Sequence, residues 1–492
     1  MGTKVCTYMK TEPRVLDAVP VTSIDEYRSR GGLAALHAAR SVDPNAVIET
    51  LEASGLRGRG GAGFPTGAKW RTVAAYRSSS VPTTVVVNAA EGEPGSFKDR
   101  AIVRANPYRV LEGAMIGAWA VGADRVIVAA KASFERELTR LHGAVAELIS
   151  DGVVGDLELE VVAGPDEYLY GEETALLEVL DGRSPFPRVA PPFRHGVDEI
   201  GSGAESAAAL ELAGTQADTV APPTLVNNVE TFANVPGIVE FGPDWFRGVG
   251  TARSPGTIVC TVTGRTQRHG VAEVAMGTPL GAVIDQIGAG ALGGRRLVAA
   301  MSGVANPLVP AAQFDTPLTY EDMEALGSGL GACGFIVFDD STDMAAVAHG
   351  VSRFLAVESC GQCTPRKQDG LALSERLDRL RRSDAAEAVL NEVGELAATV
   401  SNEARCFLAH QHKRVLESIL ALFADQLRAH LVDAPEPIPS AGTELIAAIV
   451  DFDGDRAVLD QRHPFKQPDW TYDADWSGAS PADVIDERRR AS

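Results

Sequence analysis

Hydrophobic positions change their spacing along the first third of the chain, and that change predicts its elements. A β-branched apolar run at 81–90 predicts a buried strand, and the runs at 124–130 and 156–164 predict two more. Between them, apolar residues recur at helical spacing over 108–121 and 133–149. Strand, helix, strand, helix, strand in this order predicts a parallel sheet with right-handed crossovers, and hence an α/β fold.

A second pattern begins near residue 256. The segments 257–264 and 270–277 predict a pair of strands, 278–288 a helix, and 297–303 a further strand. From 342 to about 423 the chain is almost continuously helical, with leucines and valines at the spacing of a helical bundle.

Two stretches have weaker patterns. Residues 171–240 mix glycine- and proline-rich loops with short helices. The last sixty or so residues are rich in proline and aspartate, but they carry Phe465, Trp470, Tyr472 and Trp476. Because a solvated tail is poor in aromatic residues, we expect this tail to wrap the body or a partner.

Composition and charge narrow the class of protein. The 492 residues hold 45 Lys and Arg against 66 Asp and Glu, a formal net charge of −21. That charge argues against binding to nucleic acid phosphates. No apolar run approaches the ~18 residues needed to span a bilayer, and the N-terminus has no secretory signal pattern. The sequence thus predicts a cytoplasmic protein.

The glycine-rich segment GLRGRGGAGFPTGAKW, residues 55–70, is the first candidate for chemistry. Glycine lets backbone N–H groups approach an anion, and the interleaved Arg57, Arg59 and Lys69 add positive charge. The segment is neither a P-loop nor a G-x-G-x-x-G turn directly after a strand. It predicts a nucleotide phosphate site of another kind, the alternative being a flexible surface loop.

Five separated motifs resemble one family in the right order. They are the glycine segment, NAAEGEPGSFKDR at 88–100, YLYGEETALLEVLDGR at 168–183, PTLVNNVETFANVP at 223–236 and ESCGQCTP at 358–365. They are similar to the flavin- and NADH-binding (51 kDa) subunit of respiratory complex I and its relatives in NAD-linked hydrogenases and formate dehydrogenases. The chain resembles a divergent member over roughly residues 25–425.

The resemblance implies a division of the chain. It implies a Rossmann-like FMN/NADH domain, a small β-grasp (SLBB-like) domain, and a C-terminal helical bundle that holds an iron–sulfur cluster. The expected bounds are 1–24 for a lead-in, 25–250 for the FMN/NADH domain, 251–335 for the β-grasp domain, 336–430 for the bundle and 431–492 for the tail.

The resemblance also implies roles for individual residues. The FMN phosphate and ribityl chain would contact Gly58, Arg59, Gly60 and Lys69. The flavin would be lined by Asn88, Glu91, Tyr168, Gly171, Glu172, Val226, Asn227, Asn228 and Thr231. In the NADH site, Phe64 and Phe193 would stack on the adenine, and Glu173 would lie near the ribose and repel a 2′-phosphate. Glu91 and Tyr168 are the candidate catalytic residues.

Simpler interpretations exist for two of these pairs. Glu172 and Glu173 could mark a helix N-terminus, where carboxylates complement the helix dipole. Asn227 and Asn228 could form a turn. Two departures from the family pattern also bear on the site: Ala90 stands where the family has an aspartate, and Ala190 where it has a basic residue. Losing one buried hydrogen bond costs on the order of 1 kcal/mol, which weakens cofactor binding without abolishing it.

The cysteine motif departs further. The family pattern is C-x-x-C-x-x-C with a fourth cysteine about forty residues later. Here Cys360, Cys363 and Cys406 are present, but Arg366 stands in the third position. Arginine stays protonated and cannot bind iron. The alternatives are a three-cysteine [4Fe–4S] or [3Fe–4S] cluster, substitution by His410 or His412, an empty site with the cysteines as apolar fillers, or zinc.

The expected function follows from the cofactors that the resemblance implies. NADH releases two electrons as a hydride and an iron–sulfur cluster accepts one, so a flavin must stand between them. We expect an NADH-oxidising electron-input subunit that passes electrons to a partner such as a ferredoxin- or thioredoxin-like [2Fe–2S] protein. A position peripheral to a membrane complex fits this role. The alternatives are a structural subunit with degenerate cofactor sites and a flavin-only diaphorase.

Overall fold

The computed structural model describes residues 13–78, 81–188, 192, 196, 222–402, 404–436, 438 and 442–484. The expected adenine-stacking residue Phe193 and the departure at Ala190 lie outside them, as does the first half of the lead-in. The strands are β1 (Thr84–Ala89), β2 (Arg125–Lys131), β3 (Glu158–Gly164), β4 (Thr224–Asn228), β5 (Thr257–Gly264), β6 (Gly270–Ala275), β7 (Leu297–Ser302), β8 (Val309–Pro310), β9 (Gly334–Asp339), β10 (Ile449–Asp453) and β11 (Arg456–Leu459).

The described helices alternate with these strands in the first half and dominate the second. They are Ile24–Ser29, Ala34–Arg40, Pro44–Ser54, Thr66–Ala75, Lys98–Ala105, Pro107–Val121, Glu135–Ser150, Glu173–Leu180, Val229–Phe241, Pro243–Arg247, Leu280–Gly288, Tyr320–Ala325, Met344–Val357, Thr364–Arg381, Glu387–Thr399, Leu408–Leu422 and Ala424–Arg428. Short 3₁₀ turns lie at Tyr168–Gly171, Leu292–Gly294, Ala311–Gln313 and His463–Phe465. No described helix is both long and apolar enough to cross a membrane.

The first sheet is parallel, which confirms the α/β prediction. Its order is β3-β2-β1-β4, and each strand pairs in parallel with its neighbour. The sequence prediction found β1, β2 and β3 but was wrong about β4, which it placed among loops and short helices. β4 is only five residues long and ends in two asparagines, so hydrophobic spacing alone gives it no strand signal.

Two helices pack tightly beneath this sheet. Pro107–Val121 is buried along almost its whole length and lies against the helix Val229–Phe241. The contact is close enough that a Cβ added at Gly113 would come within 2.0 Å of the carbonyl oxygen of Phe232. Glycine at 113 therefore sets the spacing of the two helices and, through Val229–Phe241, the position of β4.

The second sheet has five strands in the order β6-β5-β9-β7-β8. β5 pairs antiparallel with β6 and parallel with β9, and the helix Leu280–Gly288 packs against β5 through a separate apolar cluster. The strand β9 continues across residue 335, where the sequence placed a domain boundary. That segment pairs between β5 and β7, so it belongs to this sheet.

The long helices after residue 343 share one apolar core with part of the tail. Met344–Val357, Thr364–Arg381, Glu387–Thr399 and Leu408–Leu422 bury leucines and valines in a common cluster. The tail lies against them: Trp470 Nε1 donates to the Val357 carbonyl at 2.9 Å, and the Ala482 N–H donates to the Cys360 carbonyl at 2.9 Å. The described part of the tail therefore packs on the body.

Candidate functional site

The glycine-rich segment turns between the helices Pro44–Ser54 and Thr66–Ala75. The Gly58 N–H donates to the Phe64 carbonyl at 2.8 Å, which closes the segment into a loop. A Cβ added at Gly60 would lie 3.2 Å from the Asn228 Cβ, so the loop approaches the carboxyl end of β4. The lack of a side chain at Gly60 lets the loop and β4 face a common space.

That space is a cavity of about 700 Å³, within the usual range for small-molecule sites. It lies at the carboxyl ends of β1 and β4, where parallel sheets bind ligands. The residues that the resemblance implied and that line it are Gly58, Gly60, Phe64, Lys69, Asn88, Glu91, Tyr168, Gly171, Glu172, Glu173, Val226, Asn227, Asn228 and Thr231. Segments far apart in the chain thus converge as expected.

Arg59 differs from the expectation. Its side chain is 2% exposed, and its guanidinium donates to the Pro255 and Thr257 carbonyls at 3.1 and 3.0 Å and to the Tyr320 hydroxyl at 3.2 Å. Its N–H donates to Thr231 Oγ1 at 2.9 Å. Arg59 therefore ties the glycine loop to the second sheet, and its charge is directed away from the cavity.

The paired residues have both structural and cavity-facing roles. The Glu172 carboxylate caps the helix Glu173–Leu180 by accepting from the Thr174 and Ala175 N–H groups at 3.1 and 2.9 Å. Asn228 Oδ1 likewise accepts from the Glu230 N–H at 3.0 Å at the start of its helix. The helix-terminus interpretation of Glu172 is therefore correct, and the same residue also lines the cavity.

Lys69 and Glu173 form an ion pair at the cavity. The resemblance placed the first at the FMN phosphate and the second at the NADH ribose. Because both side chains are partly exposed, this pair has the modest energy of a surface salt bridge, typically about 0–1 kcal/mol, and an anionic ligand can separate it.

A buried charge network that the residue assignments above did not include forms one wall. Lys98 Nζ lies 2.7 Å from Asp99 Oδ1, 3.1 Å from Glu230 Oε2 and 2.9 Å from Asn228 Oδ1. Burial disfavours the ammonium, but the Asp99 and Glu230 carboxylates outweigh it and raise the pKa of Lys98. Lys98 and Asp99 belong to the quoted motif FKDR, so the signal was present in the sequence.

Glu91, a candidate catalytic residue, is ionised and held in place. Burial raises its pKa, but the Arg100 and Lys98 charges outweigh that effect, and the pKa is lowered overall. Ser96 Oγ donates to its Oε1 at 2.6 Å, and Arg100 Nε donates to its Oε2 at 3.1 Å. With both oxygens engaged, Glu91 acts in the cavity as a fixed negative charge.

Tyr168, the other candidate, pairs with a residue that the sequence prediction missed. Its hydroxyl donates to the Glu93 carboxylate, whose Oε1 also accepts from the Val304 N–H at 2.6 Å. Burial nevertheless raises the pKa of Glu93 to about 7. The Tyr168 N–H donates to Glu358 at 3.0 Å, which links this cavity wall to the long helices.

The three cysteines of the broken motif line a second, smaller cavity together with Arg366. Cys363 Sγ accepts from the Arg405 N–H at 3.4 Å, and Cys360 is buried. Leu169, Cys406 and Leu408 line both cavities, so the cysteine pocket shares a wall with the large one.

The alternative ligands do not face this pocket in a usable form. Arg366 Nη1 donates to His412 Nδ1 at 3.2 Å, and His412 Nε2 lies 3.0 Å from Ser352 Oγ, so both ring nitrogens are engaged. His410 is exposed and stacks beside Phe407. Among the described residues, no three His, Cys, Asp or Glu side chains are arranged to hold a single metal ion, which counts against zinc.

A nucleotide-sized cavity beside a pocket of three cysteines defines a nucleotide-dependent oxidoreductase with an iron–sulfur region. Two family models match: the Nuo51 FMN-binding domain at residues 51–237 and the NADH-ubiquinone oxidoreductase-F iron-sulfur binding region at residues 346–430. The described part of the first match contains the glycine loop and β4, and the second contains all three pocket cysteines.

Similar proteins of known name cover most of the chain. The NADH-quinone oxidoreductase F-type protein 2 of Rhizobium meliloti (strain 1021) is 34% identical over 85% of this chain and 98% of its own length. The NADP-reducing hydrogenase protein HndC of Solidesulfovibrio fructosivorans is 34% identical over 84% of this chain and 82% of its own. The crystal structure of an NAD⁺-reducing [NiFe]-hydrogenase in the H₂-reduced state superposes with a TM-score of 0.72 at 30% identity, covering 86% of this chain and 67% of that one.

The chain belongs to the 51 kDa, FMN-binding family of NADH-quinone oxidoreductase F-type subunits. It is an FMN-dependent, NADH-oxidising electron-input subunit. The expected family, cofactor class and activity are confirmed.

Proposed function

We propose that FMN occupies the large cavity, with its phosphate against the glycine loop and its ring near the carboxyl ends of β1 and β4. The observation that carries this proposal is the convergence of the family-implied residues on one cavity from four separated segments. Bound FMN takes a hydride from NADH and releases electrons singly, which is the chemistry the cofactor supplies. The chain supplies the fixed charges of Glu91 and Lys98 and the shaped cavity.

NADH would enter beside Phe64 and Glu173. The Phe64 ring is 57% exposed at the cavity rim, which leaves its face available to stack on an adenine. Glu173 would face the ribose, and Lys69 would be released from the ion pair when a phosphate arrives.

Electrons would leave through the cysteine pocket. Leu169, Cys406 and Leu408 separate it from the flavin cavity by a single shared wall. The relatives are named as subunits of larger enzymes, so we propose that this chain also passes electrons to a partner subunit, with a ferredoxin- or thioredoxin-like [2Fe–2S] protein as the candidate. A cytoplasmic place, peripheral to any membrane complex, fits this assignment.

We assign the two other expected units on the same basis. The five-stranded mixed sheet with the helix Leu280–Gly288 across it suits an SLBB-like β-grasp domain. The four long helices that share one core suit the C-terminal bundle.

Gly60→Val tests the flavin assignment. A Cβ at this position would already lie 3.2 Å from the Asn228 Cβ, and two further methyl groups would fill the space proposed for the phosphate. We expect the purified variant to lose bound flavin, measured by absorbance and by FMN release on denaturation.

The matched control is Gly143→Val. A Cβ at Gly143, within a helix, meets nothing within 4 Å, so this variant should retain flavin. If Gly60→Val holds flavin as well as its control does, the loop is not the phosphate site. An absence of flavin from the unaltered protein would favour a structural role, and flavin without iron would favour a diaphorase.

A further inference from the structure

Two adjacent cations are buried at the cysteine pocket. Arg366 and Lys367 are each 3% exposed, and no carboxylate among the described residues pairs with either of them. Burying an unpaired charge costs several kcal/mol unless an opposite charge or hydrogen bonds compensate. The pocket therefore calls for an anion.

Lys367 is compensated by the protein. Its ammonium donates to the Ala356, Ser359 and Pro468 carbonyls at 3.1, 2.8 and 2.6 Å. Two of these acceptors lie at or just beyond the C-terminus of the helix Met344–Val357, where a cation is favoured by the helix dipole. Lys367 thus acts as a structural cap.

Arg366 is only partly compensated. Nη2 donates to the Leu355 carbonyl at 2.9 Å and Nη1 to His412, but Nε is buried with no hydrogen-bond partner. Burial lowers the pKa of Arg366 to about 10, while Cys406, Cys360 and Cys363 act against that effect as negative neighbours. The guanidinium remains charged at neutral pH and lies among three thiols with one N–H unused.

We propose that Cys360, Cys363 and Cys406 hold a three-iron [3Fe–4S] cluster, and that Arg366 takes the place of the fourth iron and its cysteine. A cuboidal three-iron cluster needs three thiolate ligands, the number present here. With those thiolates it is anionic, which supplies the counter-charge that Arg366 lacks. The unpartnered Nε–H would donate to a cluster sulfur, as hydrogen bonds to such sulfurs do in other iron–sulfur sites.

A four-iron cluster would leave its fourth iron without a protein ligand and beside a fixed positive charge. Arginine cannot bind that iron, and His410 and His412 do not face the pocket with a free nitrogen. The three-iron form removes both problems. This inference rests on the iron–sulfur assignment of residues 346–430 and is independent of the FMN assignment.

The test is iron and sulfide analysis with electron paramagnetic resonance on the full chain, purified and reconstituted without oxygen. Anaerobic handling matters because oxygen can convert a labile four-iron cluster to a three-iron one. We expect three irons per chain and the spin-half signal of an oxidised three-iron cluster. Four irons with no signal in the oxidised state would overturn the proposal, and so would the absence of iron. Flavin content, measured on the same sample, reports separately on the proposed function.

Arg366→Cys and Arg366→Gln separate the roles of ligand and charge. Arg366→Cys should bind four irons and lose the oxidised signal. Arg366→Gln should keep the three-iron signal but show a lower midpoint potential, because a neutral side chain stabilises the reduced, more negative cluster less. Unchanged iron content in Arg366→Cys, or an unchanged potential in Arg366→Gln, would contradict the role given to Arg366.

Arg353→Gln is the matched control. Arg353 lies on the neighbouring helix and donates to the His463 and Pro464 carbonyls of the tail, at 3.0 and 2.7 Å, and not to the cysteine pocket. Its replacement should leave iron content, signal and potential unchanged. A shift equal to that of Arg366→Gln would show that the potential responds to general loss of positive charge.

Discussion

At the scale of single residues, neighbouring charges decide which carboxylates of the cavity are ionised. Glu91 is next to Arg100 and Lys98 and stays ionised at low pH. Glu93 has hydrogen bonds but no cation, so burial raises its pKa to about 7. Two glutamates two positions apart in one motif therefore differ in charge near neutral pH.

The raised pKa of Glu93 predicts a stability that depends on pH. Because the folded pKa of about 7 lies above the unfolded value of 4.5, the contribution is fully present below pH 4.5 and is lost as pH rises through about 7. Glu93→Gln has no proton to lose. Between about pH 5 and about pH 8, the unaltered protein should lose up to about 3 kcal/mol of unfolding free energy relative to this variant.

Denaturant unfolding at both pH values measures this difference. Glu158→Gln, on an exposed edge of β3, is the control and should track the unaltered protein. Parallel curves for Glu93→Gln and the unaltered protein would mean that Glu93 is ionised throughout this range.

The Lys69–Glu173 pair predicts the nucleotide preference. A carboxylate near a 2′-phosphate costs on the order of 1–4 kcal/mol, depending on the local dielectric, so NADH should be preferred to NADPH. Glu173→Gln removes that repulsion and frees Lys69 for a phosphate. Its preference should fall on the order of tenfold, measured as the ratio of kcat/KM for the two nucleotides with an artificial acceptor.

The control for this change is Glu375→Gln, a largely exposed glutamate on the long helix Thr364–Arg381. It should leave the ratio unchanged. Equal kcat/KM values for NADH and NADPH in the unaltered protein would remove Glu173 from the nucleotide site.

At the scale of elements, a buried ion pair joins the tail to the helices beside the cysteine pocket. Lys466 Nζ lies 2.8 Å from Glu358 Oε1, and His463 Nε2 lies 3.2 Å from the same oxygen. Burial raises the pKa of Glu358, but Lys466 and His463 outweigh it and hold the pKa far below its usual range. Since Glu358 also accepts from Tyr168, the tail fixes a wall of the flavin cavity.

Lys466→Met should therefore destabilise the protein strongly. It leaves the Glu358 carboxylate buried beside only a histidine, and loss of one partner of a buried pair typically costs about 3–5 kcal/mol. The measurement is denaturant unfolding near neutral pH. Arg462→Met, in an exposed pair with Asp460, should cost no more than about 1 kcal/mol. Similar losses in both variants would show that the tail pair is not buried in solution.

At the scale of the whole molecule, the flavin cavity is built by all three parts of the chain. The first sheet supplies the glycine loop and β4, the second-sheet unit supplies Asn306 and Gly331, and the helix Leu408–Leu422 supplies Gln411 and Arg414. The tail holds these parts together through Arg104 with Asp451 and Arg265 with Glu444. The site thus depends on the assembly of units that have separate apolar cores.

The sequence by itself determined the parallel sheet, the positions of the motifs and the cysteine set, because these follow from local spacing and residue type. β1, β2 and β3 have long β-branched runs, whereas β4 becomes a strand only by pairing with β1. Arg366 was recognisable as a non-ligand from its chemistry alone.

Only the tertiary structure decided which way the charges point. It turned Arg59 from the cavity toward β5, paired Lys69 with Glu173, and placed Glu93 where no cation reaches it. It also buried Arg366 among three thiols with one N–H unpartnered. Charge direction and desolvation depend on neighbours that are distant in the chain, and for that reason no local pattern contains them.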